Sequence, residues 1–160
     1  MKTTLDLLPL SQYVSTSYHA KNLLLALERL QAAHFQKNQN FLTILEQETP
    51  FPLSEVLKQL AKAHEVNFND LAQTESFFSL LRKEISQLPH LTLTVSVNPT
   101  LSLIKEINQW VITNLKKPVV LDFVVDETNI GGAKVAFKGK IVDYTVKKLI
   151  EPFMKSNVIS

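Results

Sequence analysis

Apolar residues in this 160-residue chain change their spacing once, at Pro89, and that change limits the folds open to it. Before Pro89 they recur at helical steps: Leu23, Leu24, Leu27 and Leu30, then Phe35, Phe41, Leu42 and Leu45. This predicts one long helix, or two helices broken near Lys37-Asn38. Pro50 and Pro52 end the segment, because proline has no amide donor and restricts the residue before it. Ser54 is placed to cap the next helix, whose stripe is Val56, Leu57, Leu60 and Ala61. A further helix over about Asp70 to Leu88 buries Leu71, Phe77, Phe78, Leu81 and Ile85, and a short one begins near Pro9. None of these four or five helices can hide its apolar stripe alone, so residues 1–88 are expected to form an all-helical bundle.

After Pro89 the period becomes two. Leu91, Leu93, Val95 and Val97 alternate with Thr92, Thr94 and Ser96, the pattern of a strand with one buried face. A helix from about Thr100 to Leu115 follows, with Leu101, Ile104, Ile107 or Asn108, Val111 and Leu115 on one side. Val119 to Val125 reads as a second strand, with Val119, Leu121, Phe123 and Val125 on one face and Val120 and Val124 on the other. Asp126-Glu127-Thr128-Asn129 is turn chemistry, Ala133 to Phe137 a third strand with Lys134 and Lys138 outward, and Gly139 a turn. Asp143 or Thr145 can cap a last helix through Val146, Leu149, Ile150 and Phe153. The expected class is α+β: a helical bundle over 1–88, then a small α/β domain over 89–160 in the order strand, helix, strand, strand, helix.

Composition narrows the chemistry. There is no Cys, which excludes a disulfide scaffold, a thiolate zinc site and a Cys nucleophile. The longest apolar runs are about five residues, such as Leu23 to Leu27, against the roughly 20 of a membrane span. A soluble chain that does not insert into a membrane is expected. The formal charge of +2 is unevenly spread: residues 91–160 carry nine Lys against six acids, while the two Arg, Arg29 and Arg82, lie in the other half. Nucleic-acid binders show a stronger excess and use Arg for bidentate contacts, so nucleic acid is not the expected partner.

No motif supports catalysis. His19, His34, His64 and His90 lack the i+3 or i+4 partner that binds metal from a helix, and no Ser sits in a Gly-x-Ser-x-Gly elbow. All three glycines lie within nine residues. Gly131-Gly132 precedes a strand rather than a helix, so it is read as a turn or a close backbone approach, not a phosphate loop. Asp122 is read as the solvent-facing position of a strand, and Trp110 and the nine Phe as core.

The string from Val120 to Ile150 resembles the C-terminal signature of the delta subunit of F-type ATP synthases, the family of the oligomycin-sensitivity-conferring protein. A strand ending in Asp126 leads through a turn to Ile130-Gly131-Gly132, a strand follows, and Gly139, Asp143, Thr145 and Val146 open the last helix. The resemblance covers roughly 91–153; the helical half offers fewer helices than that family's bundle and only a faint echo in Tyr13 to Ala20. It implies a non-catalytic linker without cofactor or metal, in a complex that couples proton or ion transport to ATP synthesis. Its helical domain would grip the alpha/beta catalytic head, and its C-terminal domain would meet the helices of the membrane-anchored, b-type stalk. The implied location is the periphery of a bacterial inner or plasma membrane, on the cytoplasmic side. The eight signature residues would then specify fold rather than carry chemistry. The competing reading is a small regulatory or nucleic-acid-binding α/β protein, motivated by the Lys-rich C-terminal half.

Overall fold

The computed structural model describes residues 5–36 and 41–156. The break expected near Lys37-Asn38 lies outside them. The fold is α+β, and the chain divides into two compact units, residues 1–14 with 18–88, and residues 15–17 with 89–160.

The first unit is helical. A short 3-10 helix, Leu8–Tyr13, precedes α1 (Ser17–Gln36), α2 (Phe41–Glu48), α3 (Phe51–Ala63) and α4 (Leu71–Ser86). Leu23, Leu27 and Leu30 of α1, Leu45 of α2, Leu57 and Leu60 of α3, and Leu81 and Ile85 of α4 are buried at the predicted steps, while in α2 the buried partner is Ile44 and Leu42, expected on the stripe, is exposed. An aromatic cluster completes this core, with Phe41 4.9 Å from Phe68 and 5.3 Å from Phe78 between ring centroids. One boundary differs from expectation. Helix α3 starts at Phe51 rather than Ser54, with Pro50 as N-cap and a proline in the first turn. The first-turn amides have no intrahelical partner anyway, so proline is tolerated there. Ser54 is buried inside the helix and donates to the Phe51 carbonyl. At α4 the cap is Asp70, whose carboxylate accepts from the amides of Ala72 and Gln73, while Leu71, expected in the core, is exposed.

The second unit is a four-stranded sheet in the order β2-β1-β3-β4. Its strands are β1 (His90–Val95), β2 (Val120–Val125), β3 (Ala133–Phe137) and β4 (Lys140–Asp143), with α5 (Leu101–Leu115) between β1 and β2 and α6 (Val146–Ser156) last. Strands β1 and β2 are parallel, so a crossover is needed, and α5 supplies it. Strand β3 is antiparallel to β1, and β3 and β4 form a hairpin. Thr100 caps α5 by accepting from the Leu103 amide. Leu91, Leu93, Val111, Val119 and Leu121 form the core, with Ile104, Ile107, Phe123, Val135 and Phe137 against it.

The fourth strand is an addition to the expected order. Lys138 (φ 48°) and Gly139 (φ 77°) make a two-residue turn with Phe137 opposite Lys140, and Ile141 and Val142 continue the pairing. Four residues with charged ends and no buried face leave little alternation to read in a sequence. Two other readings are corrected. Trp110 is 63% exposed on the outer face of α5, because the core takes Val111 and Asn108 instead. Asp122 is half-buried, and its carboxylate meets His90 Nδ1 at 2.6 Å and accepts from the Ser17 hydroxyl.

Candidate functional site

The signature residues other than Gly139 gather where β2, the turn after it, β3 and the start of α6 meet. The Asp126 amide donates to the Val95 carbonyl at 2.8 Å, which fixes the end of β2 on β1. Its carboxylate accepts from the Thr128 amide at 3.1 Å and the Thr128 hydroxyl at 2.6 Å, closing an Asx turn. Asn129 is buried and its side-chain oxygen accepts from the Gly131 amide at 3.3 Å. The Gly131 carbonyl accepts from the Val146 amide at 3.0 Å, and the Ala133 carbonyl from the Tyr144 amide at 2.9 Å. These two bonds join the Gly-Gly segment to the entry of α6.

That approach explains the second glycine. A Cβ on Gly132 would lie 2.3 Å from the Tyr144 carbonyl oxygen and 2.9 Å from Thr145 Cα, and its φ is +78°. Gly131 is less constrained, with Val146 Cγ2 at 3.3 Å. The entry of α6 is double-capped: Asp143 accepts from the Thr145 amide at 2.9 Å, and buried Thr145 accepts from the Lys148 amide at 3.3 Å. Gly139 stands apart at the far end of the β3–β4 hairpin, and Ile130 is 74% exposed beside the glycines.

A cleft of about 270 Å³ opens among these elements, and Asp126, Asp143 and Glu151 line it together with Lys134, Lys147 and Lys148. The Thr128 hydroxyl and amide hold the Asp126 carboxyl below the usual carboxylate range, with Lys134 and Lys147 adding to the effect. Thr145 does the same for Asp143, helped by Lys134 and Lys148. Three carboxylates and three ammonium groups line the cleft, so it carries no net formal charge to favour either sign of ligand. Its charges order the loops that carry them. Among the described residues no group of His, Cys, Asp and Glu could hold a metal ion.

Outside the cleft the second unit exposes apolar side chains. Ile130, Ile141, Tyr144 and Leu149 are 60–74% exposed, and Val142 and Ile150 about 40%. Lys138, Lys140, Lys147 and Lys148 in the same segments are exposed as well. In the helical unit an apolar groove of about 360 Å³ is lined by Tyr13, His19, Leu23, Ala26, Pro50 and Leu53. Leu23 and Leu27 are core.

A family model described as ATP synthase delta (OSCP) subunit matches residues 9–156, from the 3-10 helix through α6. The chain belongs to the ATP synthase delta (OSCP) subunit family. No curated protein matches the chain. The match begins far upstream of the signature string, so the helical half, where the sequence shows only a faint echo, is part of the family's pattern too. Membership implies a component of the ATP synthase complex, with partners inside that complex and a place at its membrane. No helix among the described residues is long and apolar enough to cross a membrane. Three features of the site were not legible in the sequence. Asp122 has no motif around it, and the exposure of Ile141, and of Tyr144 just after the same strand, follows from a strand that leaves too short a pattern. Leu149 lies on the predicted stripe of α6, and only the packing shows that the stripe is uncovered.

Proposed function

We propose that the chain is the non-catalytic connector of the peripheral stalk of an F-type ATP synthase. Residues 1–88 and 89–160 act as its two domains, the first toward the alpha/beta catalytic head and the second toward the helices of the membrane-anchored b-type stalk. The observation that carries this reading, beside family membership, is the uncovered apolar set Ile130, Ile141, Tyr144 and Leu149 with lysines around it. Exposed apolar side chains in that number on a small domain mark a contact surface. An amphipathic helix with acidic flanks suits it, since apolar anchors give the affinity and charge complementarity the orientation. The groove through Tyr13, Leu23 and Leu53 is the corresponding candidate for the head. The signature residues Asp126, Ile130, Gly131, Gly132, Gly139, Asp143, Thr145 and Val146 act by shaping the second domain. The complex sits at the cytoplasmic face of a bacterial membrane in this reading.

The test is affinity capture of the tagged chain from detergent-solubilised membranes of its source, followed by mass spectrometry. Head and stalk subunits should be recovered together. Leu149→Glu, at an exposed site, should lose stalk subunits and keep head subunits. Recovery of neither set from the parent protein would overturn the connector role. Retention on a nucleic-acid column with a steep salt dependence would favour the regulatory alternative.

A further inference from the structure

Strand β2 lies at the edge of the sheet, with β1 on one side. An edge strand presents a row of backbone donors and acceptors that invites pairing with another chain unless something covers it. Here residues 15–17 cover its start, at Leu121 and Asp122. By their contacts these three residues belong to the sheet unit, while the residues on either side of them belong to the helical one. Thr16 forms a parallel bridge with Leu121, and the Leu121 amide donates to the Ser15 carbonyl at 2.9 Å. Ser15 is buried, and Ser17 donates its hydroxyl to Asp122.

Asp122 is the fixed point of this contact. It lies in register with Thr92 of β1, and His90, two residues before Thr92, shares its face of the sheet and meets the other carboxylate oxygen at 2.6 Å. His90 and Ser17 therefore hold the two oxygens of one carboxylate from opposite sides of β2. The β pairing of the segment with β2 is a single bridge, and α1 begins at Ser17.

We propose that residues 15–17 are a detachable strap that closes the start of the β2 edge, latched by the Asp122 carboxylate. Latch and strap form a local opening unit, separate from the unfolding of the sheet: the strap lifts, the Leu121 amide becomes accessible, and β1, β2 and β3 stay paired. Local openings of this kind lie at the low-stability end of a native structure and are read by amide exchange.

Amide hydrogen exchange on the full-length chain, resolved by residue, tests the proposal. In the parent protein the Leu121 amide should be protected, but less than the Val120 amide, which donates to the Pro89 carbonyl, and the Asp126 amide, which donates to Val95. Ser17→Ala removes one hydroxyl from the strap and should speed Leu121 exchange about tenfold while Val120 and Asp126 keep their rates. Asp122→Ala should speed it further. Unchanged Leu121 exchange in Ser17→Ala overturns the latch. Equal acceleration at Leu121, Val120 and Asp126 overturns the strap, since residues 15–17 would then be an inseparable strand.

Discussion

Replacing Gly132 with Ala separates two costs that a glycine in a turn can hide. The first is conformational: a residue with a Cβ at φ near +78° loses roughly 1–2 kcal/mol relative to the right-handed region. The second is steric: the new Cβ would stand 2.3 Å from the Tyr144 carbonyl oxygen, a backbone atom that cannot swing away. To relieve the overlap the entry of α6 must move off the Gly-Gly segment. The bonds from Tyr144 to Ala133 and from Val146 to Gly131 then lengthen or break. At about 1 kcal/mol net for each bond, the total loss is about 3–4 kcal/mol. Gly139→Ala is the matched control, because Gly139 has almost the same φ, +77°, with nothing within 4 Å of its Cβ. It should lose only the conformational part, about 1–2 kcal/mol. Gly131→Ala should be near neutral, since a contact of 3.3 Å to a side-chain methyl offsets the usual gain from a less flexible unfolded chain. The assay is urea unfolding followed by the fluorescence of Trp110, the single Trp, which reports on the second unit. A loss for Gly132→Ala no larger than that for Gly139→Ala would refute the close-approach argument.

Other outcomes follow from the same contacts. Thr100→Ala removes the side-chain cap of α5 and should cost about 1 kcal/mol by the Trp110 signal, as should Asp70→Ala at α4 by circular dichroism. Phe77→Ala empties a fully buried site in the helical unit and should cost about 3–5 kcal/mol, read as a lower unfolding midpoint in circular dichroism. Asp126 and Asp143 have folded-state pKa values below their ordinary 3.8, so their contribution is complete above that pH and disappears as the pH falls through the folded-state values. Acid unfolding should therefore begin from below pH 3.8 for these groups, and Thr128→Val, which removes the hydroxyl donor to Asp126, should move its onset upward. For Lys58, raised by hydrogen bonds to Glu46 and Glu55, the sign is opposite. Its contribution holds below 10.5 and fades as the pH rises through its folded-state value, which an alkaline unfolding series of Lys58→Met would check.

What could be read from the chain alone is what repeats along it or acts within a few residues. The three- and four-residue spacing of Leu23, Leu27 and Leu30 specified α1, and the alternation through Leu91, Leu93 and Val95 specified β1, because burial on one face demands those periods. Caps and turns act locally too, so Thr145 at α6 and the Asp126 turn were visible, and the ordered string through Gly131 and Gly132 pointed to the family before the match over 9–156 established it. Tertiary structure alone decided which of several apolar faces would be covered. Trp110 and Leu149 sit at helical spacing like any core residue; the sheet packs against the Val111 side of α5 and leaves Trp110 outside, and Leu149 of α6 stays exposed. Asp122 shows the same limit. Its partners Ser17 and His90 lie 105 and 32 residues away in sequence, and contacts over that distance leave no periodic trace because they are set by where whole elements pack.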